Sequence, residues 1–369
     1  MDPRRHDTAV AIWRAGVDAA GGFVATRAAL KDARPPDLVL AVGKAAAAMM
    51  QAALDRFGPV PALVVTKDGH GGTLPGHVRL IEAAHPVPDR RSLVAGRALR
   101  GAVETMAPGS RLLLLVSGGA SSLAEDPVAG CTLKDIAALN RELLAGGLDI
   151  GAMNARRSRL SRIKSGGLLC HFRGLQADVL AISDVPGDDP GVIGSGIGIA
   201  PDGHAFGHTF RIVASNATAR DAAARAARAR GLHVLENQEA LHDDLNALAA
   251  RWGPRLRAMN PGAIVLGGEP TLVLPANPGR GGRNQALALA LAREIAGTRG
   301  LSVVVGGTDG SDGPTDAAGG IVDGTTWGAG ADSALASADS GSCLQARNAL
   351  LITGPTGTNV MDLLVALRA

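Results

Sequence analysis

Short apolar runs alternate along the chain with longer stretches in which apolar residues recur at helical spacing. The runs end in glycine or serine and are too short for helices, so they predict buried strands. Strands that alternate with helices form a mostly parallel sheet with helices on both faces. The pattern therefore predicts an α/β fold with a doubly wound parallel sheet. The strands predicted for the first half lie at 37–43, 62–67, 79–84, 111–117, 178–183 and 210–215.

The stretches between these runs predict the helices. Thr132 and Asp135 form a capping-box pattern, which indicates the start of one helix. Residues 152–164 are rich in arginine and are followed by Gly166-Gly167, which predicts a basic helix with a glycine stop. The other helices of the first half are predicted at 44–57, 90–106 and 216–230.

A second set of strands follows a polar stretch. At 369 residues the chain is long enough for two hydrophobic cores. We predict a domain over 1–235, a connector helix over 236–261 that breaks at Gly253-Pro254, and a smaller α/β domain over 262–369. The strands of the smaller domain are predicted at 262–268, 270–275, 301–307 and 349–354, with a helix at 284–296.

Composition and charge exclude several classes of protein. No apolar run approaches the roughly 20 residues of a membrane span, and Arg14 and Asp18 interrupt any signal-peptide pattern, so we predict a cytoplasmic protein with no membrane partner. The 37 basic and 34 acidic residues give a net charge of only +3, and aromatic residues make up 2% of the chain, which argues against nucleic-acid binding. The three cysteines are isolated and support neither a disulfide framework nor a zinc site. A monomer and a homodimer are both open.

The sequence SGGASS ends the apolar run at 111–117. A strand that ends in such small residues leaves backbone N–H groups uncovered, and these groups suit an anion such as phosphate. The sequence matches neither a P-loop nor a dinucleotide-binding fingerprint. A tight connection that needs glycine only for its positive φ is the alternative. The candidate residues of this turn are Ser117, Gly118, Gly119, Ser121 and Ser122.

Basic residues open two of the predicted helices. Lys44 would place its ammonium beside free helix N–H groups, a combination that suits a phosphate or a carboxylate. Arg283 follows a glycine-rich loop, where a guanidinium suits bidentate contact with the same groups. In the basic helix, the spacing places Asn154 and Lys164 on a face that could line a cleft. A solvated helix face is the alternative for these residues.

Acidic residues gather at predicted strand ends. Asp184 follows a strand, where a carboxylate that faces a phosphate site suits a magnesium ligand or a general base. Asp309 lies among glycines in a similar position and is a second candidate metal ligand. Glu269 ends a strand of the second domain and is a candidate for the nucleotide site. His85 is open between a site residue and a turn histidine.

Several stretches together resemble the class II glycerate kinases, in family order across nearly the whole chain. The resemblance implies a Rossmann-like N-terminal kinase domain, a C-terminal MOFRL domain and a site in the cleft between them. It also implies ATP-dependent phosphorylation of D-glycerate, commonly at the 2-hydroxyl to give 2-phosphoglycerate, with a divalent metal. Lys44 and Arg283 match positions that the family uses in its site. The stretches are VGKAA (42–46), HPVPD (85–89), LVSGGASSL (115–123), MNARRSRLSRIKSGGL (153–168), ISDVPGDDP (182–190), GGEPT (267–271), GRGGRNQALALA (279–290), GGTDGSDGPTDAAGGIVD (306–323) and TGPTGTNVMDL (353–363).

These motifs together predict how the chain would bind its substrates. The SGGASS turn would hold the ATP phosphates, with Lys44, Arg283 and a carboxylate-held Mg²⁺ neutralising charge. Asp184 or another acid would deprotonate the glycerate hydroxyl. An NAD(P)-dependent hydroxypyruvate reductase is the alternative, although no strand–Gly-x-Gly-x-x-Gly–helix unit is present. Departures from the family pattern at 155–160 and 194–206 leave the fine substrate preference open.

Overall fold

The computed structural model describes residues 3–136, 138–139 and 159–368. Contacts divide the chain into two compact units. The unit formed by Gly21–Ser215 and Gly357–Asn359 is called the parallel-sheet unit below. The mixed-sheet unit comprises the residues up to Ala20, Asn216–Thr356 and the residues from Val360 onward.

Helices and strands alternate along most of the chain, as the hydrophobic pattern predicts. Among the described helices, none is both long and apolar enough to cross a membrane. The strands are β1 (Leu38–Val42), β2 (Ala62–Lys67), β3 (Val78–Ala83), β4 (Arg111–Val116), β5 (Gln176–Ile182), β6 (Gly207–Ala214), β7 (Val234–Glu239), β8 (Gly262–Gly268), β9 (Leu301–Gly307), β10 (Gly319–Asp323), β11 (Leu350–Leu351) and β12 (Asp362–Arg368). The helices are α1 (Pro3–Ala19), α2 (Gly22–Ala29), α3 (Ala46–Phe57), α4 (Arg90–Glu104), α5 (Ala120–Leu123), α6 (Asn216–Arg228), α7 (Leu245–Ala258), α8 (Arg283–Glu294), α9 (Ala331–Ala336) and α10 (Ser340–Gln345).

Strands β1 to β6 form one sheet in the order β3-β2-β1-β4-β5-β6, and every neighbouring pair is parallel. The predicted doubly wound parallel sheet is confirmed. The direction of winding reverses at β1, because β2 and β3 lie on one side of it and β4 to β6 on the other. The carboxyl ends of β1 and β4 therefore lie side by side, with Val42 opposite Val116. Open α/β sheets form their ligand crevice at such a switch point.

Burial along β4 shows that both faces of this sheet are covered. Residues Leu112 to Val116 are each at most 4% exposed, as expected for a central strand between helix layers. On one face, Leu99 and Val103 of α4 belong to the same buried cluster as Leu114. The sheet is therefore a rigid support for the loops at its carboxyl edge.

Strands β7 to β12 form the second sheet, in the order β11-β10-β9-β12-β8-β7. Strand β12 lies in its middle and runs antiparallel to both neighbours, β8 and β9. Helices α1 and α6 cover one face, where Trp13 is buried in the same cluster as Val365. Helices α7 and α8 cover the other face, where Trp252 and Leu291 share a cluster with Leu364. Consecutive residues of β12 thus face opposite helix layers.

The two units divide the chain at other places than the predicted domain boundaries. Helix α1 belongs to the mixed-sheet unit because it packs with α6 and the second sheet. The stretch 236–261, predicted as a connector, supplies most of β7 and all of α7 to that sheet. The predicted connector is therefore part of the mixed-sheet unit.

The predicted break at Gly253-Pro254 is wrong. Helix α7 continues through Pro254. Leu248, Trp252 and Leu256 are each at most 1% exposed, and this buried face holds the helix in the core although proline donates no backbone hydrogen bond.

The predicted strand at 270–275 is also wrong. A single bridge between Thr271 and Asp244 is the pairing found there, and Val273 is 85% exposed. The neighbouring strand β8 already pairs with β7 and β12. The apolar run therefore has no free strand edge beside β8 to pair with.

Two predictions concern the region from 132 to 164. The capping box is confirmed, since Asp135 N donates to Thr132 Oγ1 (3.3 Å) and Thr132 N donates to Asp135 Oδ2 (2.7 Å). The basic helix lies partly outside the described residues, and its described part, 159–164, is not helical. Arg162 N donates to Asp126 O (2.8 Å), so the backbone there pairs with a neighbouring segment rather than with itself.

Candidate functional site

Two loops interlock at the switch point between β1 and β4. Lys44 N donates to Gly118 O (2.9 Å), and Ala45 N donates to Ser117 Oγ (3.1 Å). Gly43 has φ +124°, and an added Cβ there would lie 2.2 Å from Ser117 Oγ. The sequence thus needs glycine before Lys44 because the SGGASS turn passes directly against the backbone.

The SGGASS turn leaves two adjacent donors open. Gly119 has φ +84° and forms the N-cap of α5. The N–H groups of Ser122 and Leu123 donate to Gly119 O. Within the described part of the chain, the N–H groups of Gly118 and Gly119 donate to no protein acceptor.

The serine hydroxyls of this turn make contacts inside the protein. Ser117 is fully buried and holds Ala45 N, whereas Ser122 Oγ donates to Gly119 O (3.2 Å). Ser121 Oγ lies 2.7 Å from Ser195 Oγ. The open backbone N–H groups are therefore better placed for a ligand than the hydroxyl of Ser117.

Four polar side chains surround Gly118 and Gly119. An added Cβ on Gly119 would lie 3.1 Å from His85 Nε2 and 3.2 Å from Lys44 Cγ. An added Cβ on Gly118 would lie 2.1 Å from both Asp184 Oδ2 and Asn359 Nδ2. The structure thus places Lys44 and Asp184 beside the same turn, and it adds His85, which the sequence left open.

Asn359 was not predicted as a site residue. Its Nδ2 donates to Asp184 Oδ2 (3.2 Å), and it is 8% exposed. The sequence places it 175 residues from Asp184, so no local spacing connects the two. Asn359 lies within the stretch TGPTGTNVMDL (353–363), whose resemblance to the family was the available indication.

Lys164 forms an ion pair with Glu125 inside the parallel-sheet unit. The two side chains are 4% and 2% exposed. Nucleotide binding by Lys164 stays a prediction, as does that by Asn154, which lies outside the described residues.

A second charged cluster surrounds Arg283 at the start of α8. Arg283 Nε donates to Asp362 Oδ2 (2.7 Å), and its Nη1 lies 2.7 Å from Glu269 Oε1. Burial acts to lower the pKa of Arg283, but the charges of Asp362 and Glu269 outweigh it and hold that pKa above its ordinary value. The guanidinium is therefore fixed in orientation. Asp362, which fixes it, was not predicted.

Asp312 lies under the first turn of α8. Its carboxylate accepts from Asn284 N (3.1 Å) and Gln285 N (2.8 Å), which otherwise have no partner at a helix start. Burial raises the pKa of Asp312 to about 7, although the two donated hydrogen bonds act in the opposite direction. Asp312 therefore caps the helix that carries Arg283.

The two predicted metal ligands belong to different units. Asp184 is in the parallel-sheet unit, and Asp309 is in the mixed-sheet unit, where it accepts from Ser311 N (2.9 Å). The described residues contain no group of three His, Cys, Asp or Glu side chains that could hold a metal ion. A role for either carboxylate in metal binding stays a prediction.

A cavity of about 460 Å³ lies away from these residues, at the amino ends of β4 to β6. Its polar groups contact one another. Asp178 accepts from Thr209 (2.8 Å) and pairs with Arg111 (3.5 Å), and Arg211 donates to Ala29 O (2.6 Å). It is therefore not part of the candidate site.

Comparison with known proteins places the chain in a family. A model described as a domain of unknown function (DUF4147) matches residues 8–230, and the MOFRL family model matches residues 262–362. The D-glycerate 2-kinase of Thermotoga maritima is 34% identical over 89% of this chain and 90% of that protein. The chain belongs to the glycerate 2-kinase family. The predicted resemblance is confirmed.

A solved structure agrees in fold with this glycerate 2-kinase family member, and a further relative carries another activity name. A crystal structure of glycerate kinase from Thermotoga maritima matches with a TM-score of 0.86 and 31% identity, over 99% of both chains. A protein of Agrobacterium vitis, named putative hydroxypyruvate reductase, is 38% identical over 88% of this chain and 97% of its own length. The α/β fold is thus confirmed, and the relatives carry two different activity names.

Proposed function

We propose that this protein transfers the γ-phosphoryl group of ATP to the 2-hydroxyl of D-glycerate, giving ADP and 2-phosphoglycerate. The observation that carries the proposal is the pair of open N–H groups at Gly118 and Gly119, with Lys44 and Asp184 beside them. They lie at the switch point of a doubly wound sheet, where phosphate-bearing ligands bind. Relatives named glycerate 2-kinase support the substrate.

Phosphoryl transfer needs positioning and neutralisation of charge more than covalent chemistry. The N–H groups of Gly118 and Gly119 would hold phosphate oxygens, and the Lys44 ammonium would offset their charge. The glycerate oxygen forms a bond to the γ-phosphorus while the bond to the bridging oxygen of ADP breaks. The hydroxyl proton would pass to Asp184 or to another acid of the site.

The residues present fit a magnesium ion that arrives with ATP. Mg²⁺ prefers oxygen ligands and is commonly held by one or two carboxylates together with substrate phosphates and water. Asp184, beside the open N–H groups, suits this role, and Asp309 is a second candidate. When bound, Mg²⁺ would neutralise charge on the phosphate oxygens.

Arg283 would bind the substrate from the mixed-sheet unit. Asp362 and Glu269 fix its guanidinium, so little conformational freedom would be lost when it contacts a carboxylate or a phosphate. We propose, from the family resemblance, that the reaction takes place in the cleft between the two domains, in the cytoplasm, where ATP is supplied.

A hydroxypyruvate reductase is the alternative, favoured by the name of the Agrobacterium vitis relatives. Such an enzyme would use NAD(P)H, whose pyrophosphate normally lies on a glycine-rich fingerprint at the first strand–helix turn. Here that turn has the sequence Val42-Gly43-Lys44, with no second and third glycine of the fingerprint. We therefore favour the kinase.

One experiment separates the two activities. The purified protein is incubated with ATP, MgCl₂ and D-glycerate, and ³¹P NMR identifies the product as 2- or 3-phosphoglycerate. We expect 2-phosphoglycerate and one ADP for each molecule formed. Rapid NADH oxidation with hydroxypyruvate, without ADP release from ATP and glycerate, would overturn the proposal.

A further inference from the structure

Three residues from the C-terminal part of the chain belong to the parallel-sheet unit. Gly357–Asn359 are grouped with that unit, whereas the residues on either side are grouped with the other. Gly22 N, at the start of α2, donates to Gly357 O (2.9 Å). Gly357 has φ +74°, and an added Cβ would lie 3.2 Å from Ala48 Cβ in α3. The segment is therefore held tightly before it reaches Asn359.

Asn359 lies against the SGGASS turn. Its side-chain amide and the Asp184 carboxylate fill the space above Gly118, where even a methyl group would be too close to both. The amide donates to Asp184 Oδ2 at 3.2 Å. This hydrogen bond holds one carboxylate oxygen of Asp184 against the turn.

A neutral donor suits this position better than a cation would. A carboxylate beside phosphate oxygens is repelled by them, so it needs a partner that holds it in place. A lysine or arginine would neutralise the carboxylate and compete with a divalent cation for it. The amide of Asn359 holds the oxygen and leaves its negative charge in place.

We propose that Asn359 is a positioning residue: it holds Asp184 where the carboxylate can bind a divalent metal beside phosphate at the SGGASS turn. The part of this inference that concerns phosphoryl transfer rests on the proposed function. It assigns a role in the site to the TGTN segment (356–359), which lies in the sequence between β11 and β12 of the other sheet. Asn359 acts through Asp184 and need not contact substrate itself.

Binding of Mn²⁺ and ADP tests the proposal independently of turnover. Isothermal titration calorimetry measures the affinity for Mn²⁺·ADP in the wild type and in Asn359→Ala. We expect at least about a tenfold loss of affinity, since a hydrogen bond to a charged group is removed. Asn260→Ala is the matched control, because Asn260 is exposed and lies in neither charged cluster.

Kinetics and a charge-changing variant separate positioning from a structural role. Asn359→Ala should lower kcat/KM for ATP at least about tenfold while the melting temperature stays close to that of the wild type. Asn359→Asp places a second carboxylate beside Asp184, so it should bind Mn²⁺ without nucleotide more tightly than Asn359→Ala. In an Asp184→Asn background, Asn359→Ala should have little further effect.

The outcomes distinguish this inference from the proposed function. If the wild type makes phosphoglycerate but Asn359→Ala keeps Mn²⁺·ADP affinity and kcat/KM within about twofold, the inference is wrong and the function stands. If the wild type binds Mn²⁺·ADP but does not phosphorylate glycerate, the function is wrong and the affinity of Asn359→Ala still decides the inference. A wild type that does neither overturns both. Should Asn359→Ala not fold, Asn359→Ser, which keeps a polar side chain but lacks the amide that donates to Asp184, is judged by the same measurements.

Discussion

At the scale of single residues, the candidate site depends on three glycines. At Gly43 and Gly118 there is no room for a Cβ. An added Cβ on Gly43 would lie 2.2 Å from Ser117 Oγ, and one on Gly118 would lie 2.1 Å from Asp184 Oδ2. At Gly119 the backbone itself has φ +84°, which costs other residues energy. Glycine serves close approach at Gly118, backbone geometry at Gly119, and both at Gly43, where φ is +124°. The sequence leaves this distinction open because the same residue satisfies both needs.

We expect Gly119→Val to impair ATP use in a folded protein. The new side chain would meet His85 and Lys44 and would crowd the two open N–H groups. The KM for ATP should rise at least about tenfold, as expected when a hydrogen bond to a charged group is lost. Gly109→Val is the matched control, since Gly109 has φ +87° with no atom within 4 Å of its added Cβ. Equal KM values in the two variants would mean that the turn needs glycine only for its backbone conformation and does not bind ATP.

Asp312 should make stability depend on pH. Its pKa of about 7 in the folded protein lies above the ordinary value of 3.8 for an aspartate, so between these two values the folded state holds a proton that the unfolded chain has released. The free energy of unfolding therefore falls as the pH rises from about 4 to about 7. Urea denaturation should give a flatter pH dependence for Asp312→Asn than for the wild type. Parallel curves would contradict the assignment of this proton to Asp312.

The parts of the site that the sequence predicted share a local origin. Lys44 and Asp184 each lie two residues after the end of a parallel strand, and Arg283 opens a helix. Strand ends of parallel sheets carry ligands. Asp362 and Asn359 come from distant parts of the chain and meet the site only through tertiary packing. No pattern of spacing connects Asp362 with Arg283, which lies 79 residues before it.

At the scale of elements, predicted apolar runs became strands where partner strands flank them, whereas β12, which also has two partners, was not predicted. The runs that became β4 and β8 are flanked by two strands each, and they are buried along their length. Residues 270–275 have similar composition but no free edge beside β8, and they form no strand. Strand formation depends on neighbours that the local sequence does not contain.

The segment at 159–168 offers a test of Lys164. Lys164→Met would leave the Glu125 carboxylate buried without its partner, at a cost of about 3–5 kcal/mol. The double variant Lys164→Met/Glu125→Gln should recover a large part of this loss. Urea denaturation measures both variants. Wild-type stability of Lys164→Met, combined with a raised KM for ATP, would instead support the predicted phosphate contact.

At the scale of the whole molecule, the two units are not continuous in sequence. The predicted first domain, 1–235, is one continuous stretch and therefore includes α1. The structure assigns α1 to the mixed-sheet unit, where Trp13 Nε1 donates to Leu363 O (3.0 Å) across 350 residues. An amphipathic helix shows which of its faces is buried, but not which sheet will bury it.

Lys44 and Arg283 test whether both units serve one reaction. We expect Lys44→Ala and Arg283→Ala each to lower kcat/KM by about 100-fold or more, which corresponds to about 2.7 kcal/mol, with little change in melting temperature. Arg283→Lys should not restore activity, because an ammonium cannot replace the planar fork that Asp362 and Glu269 hold. The double variant should lose less than the product of the two effects if both groups act on one transition state. Near-wild-type kcat/KM in both single variants would contradict a shared site.

The central place of β12 in the second sheet has a consequence for biosynthesis. Strands β8 and β9 do not pair with each other. Both pair with β12, which is translated after every other strand of the sheet. The nascent mixed-sheet unit therefore exposes two unpaired apolar edges until residues 362–368 leave the ribosome, whereas most of the parallel sheet can form earlier. Nascent chains stalled before residue 362 should accordingly engage chaperones through the second sheet and not the first.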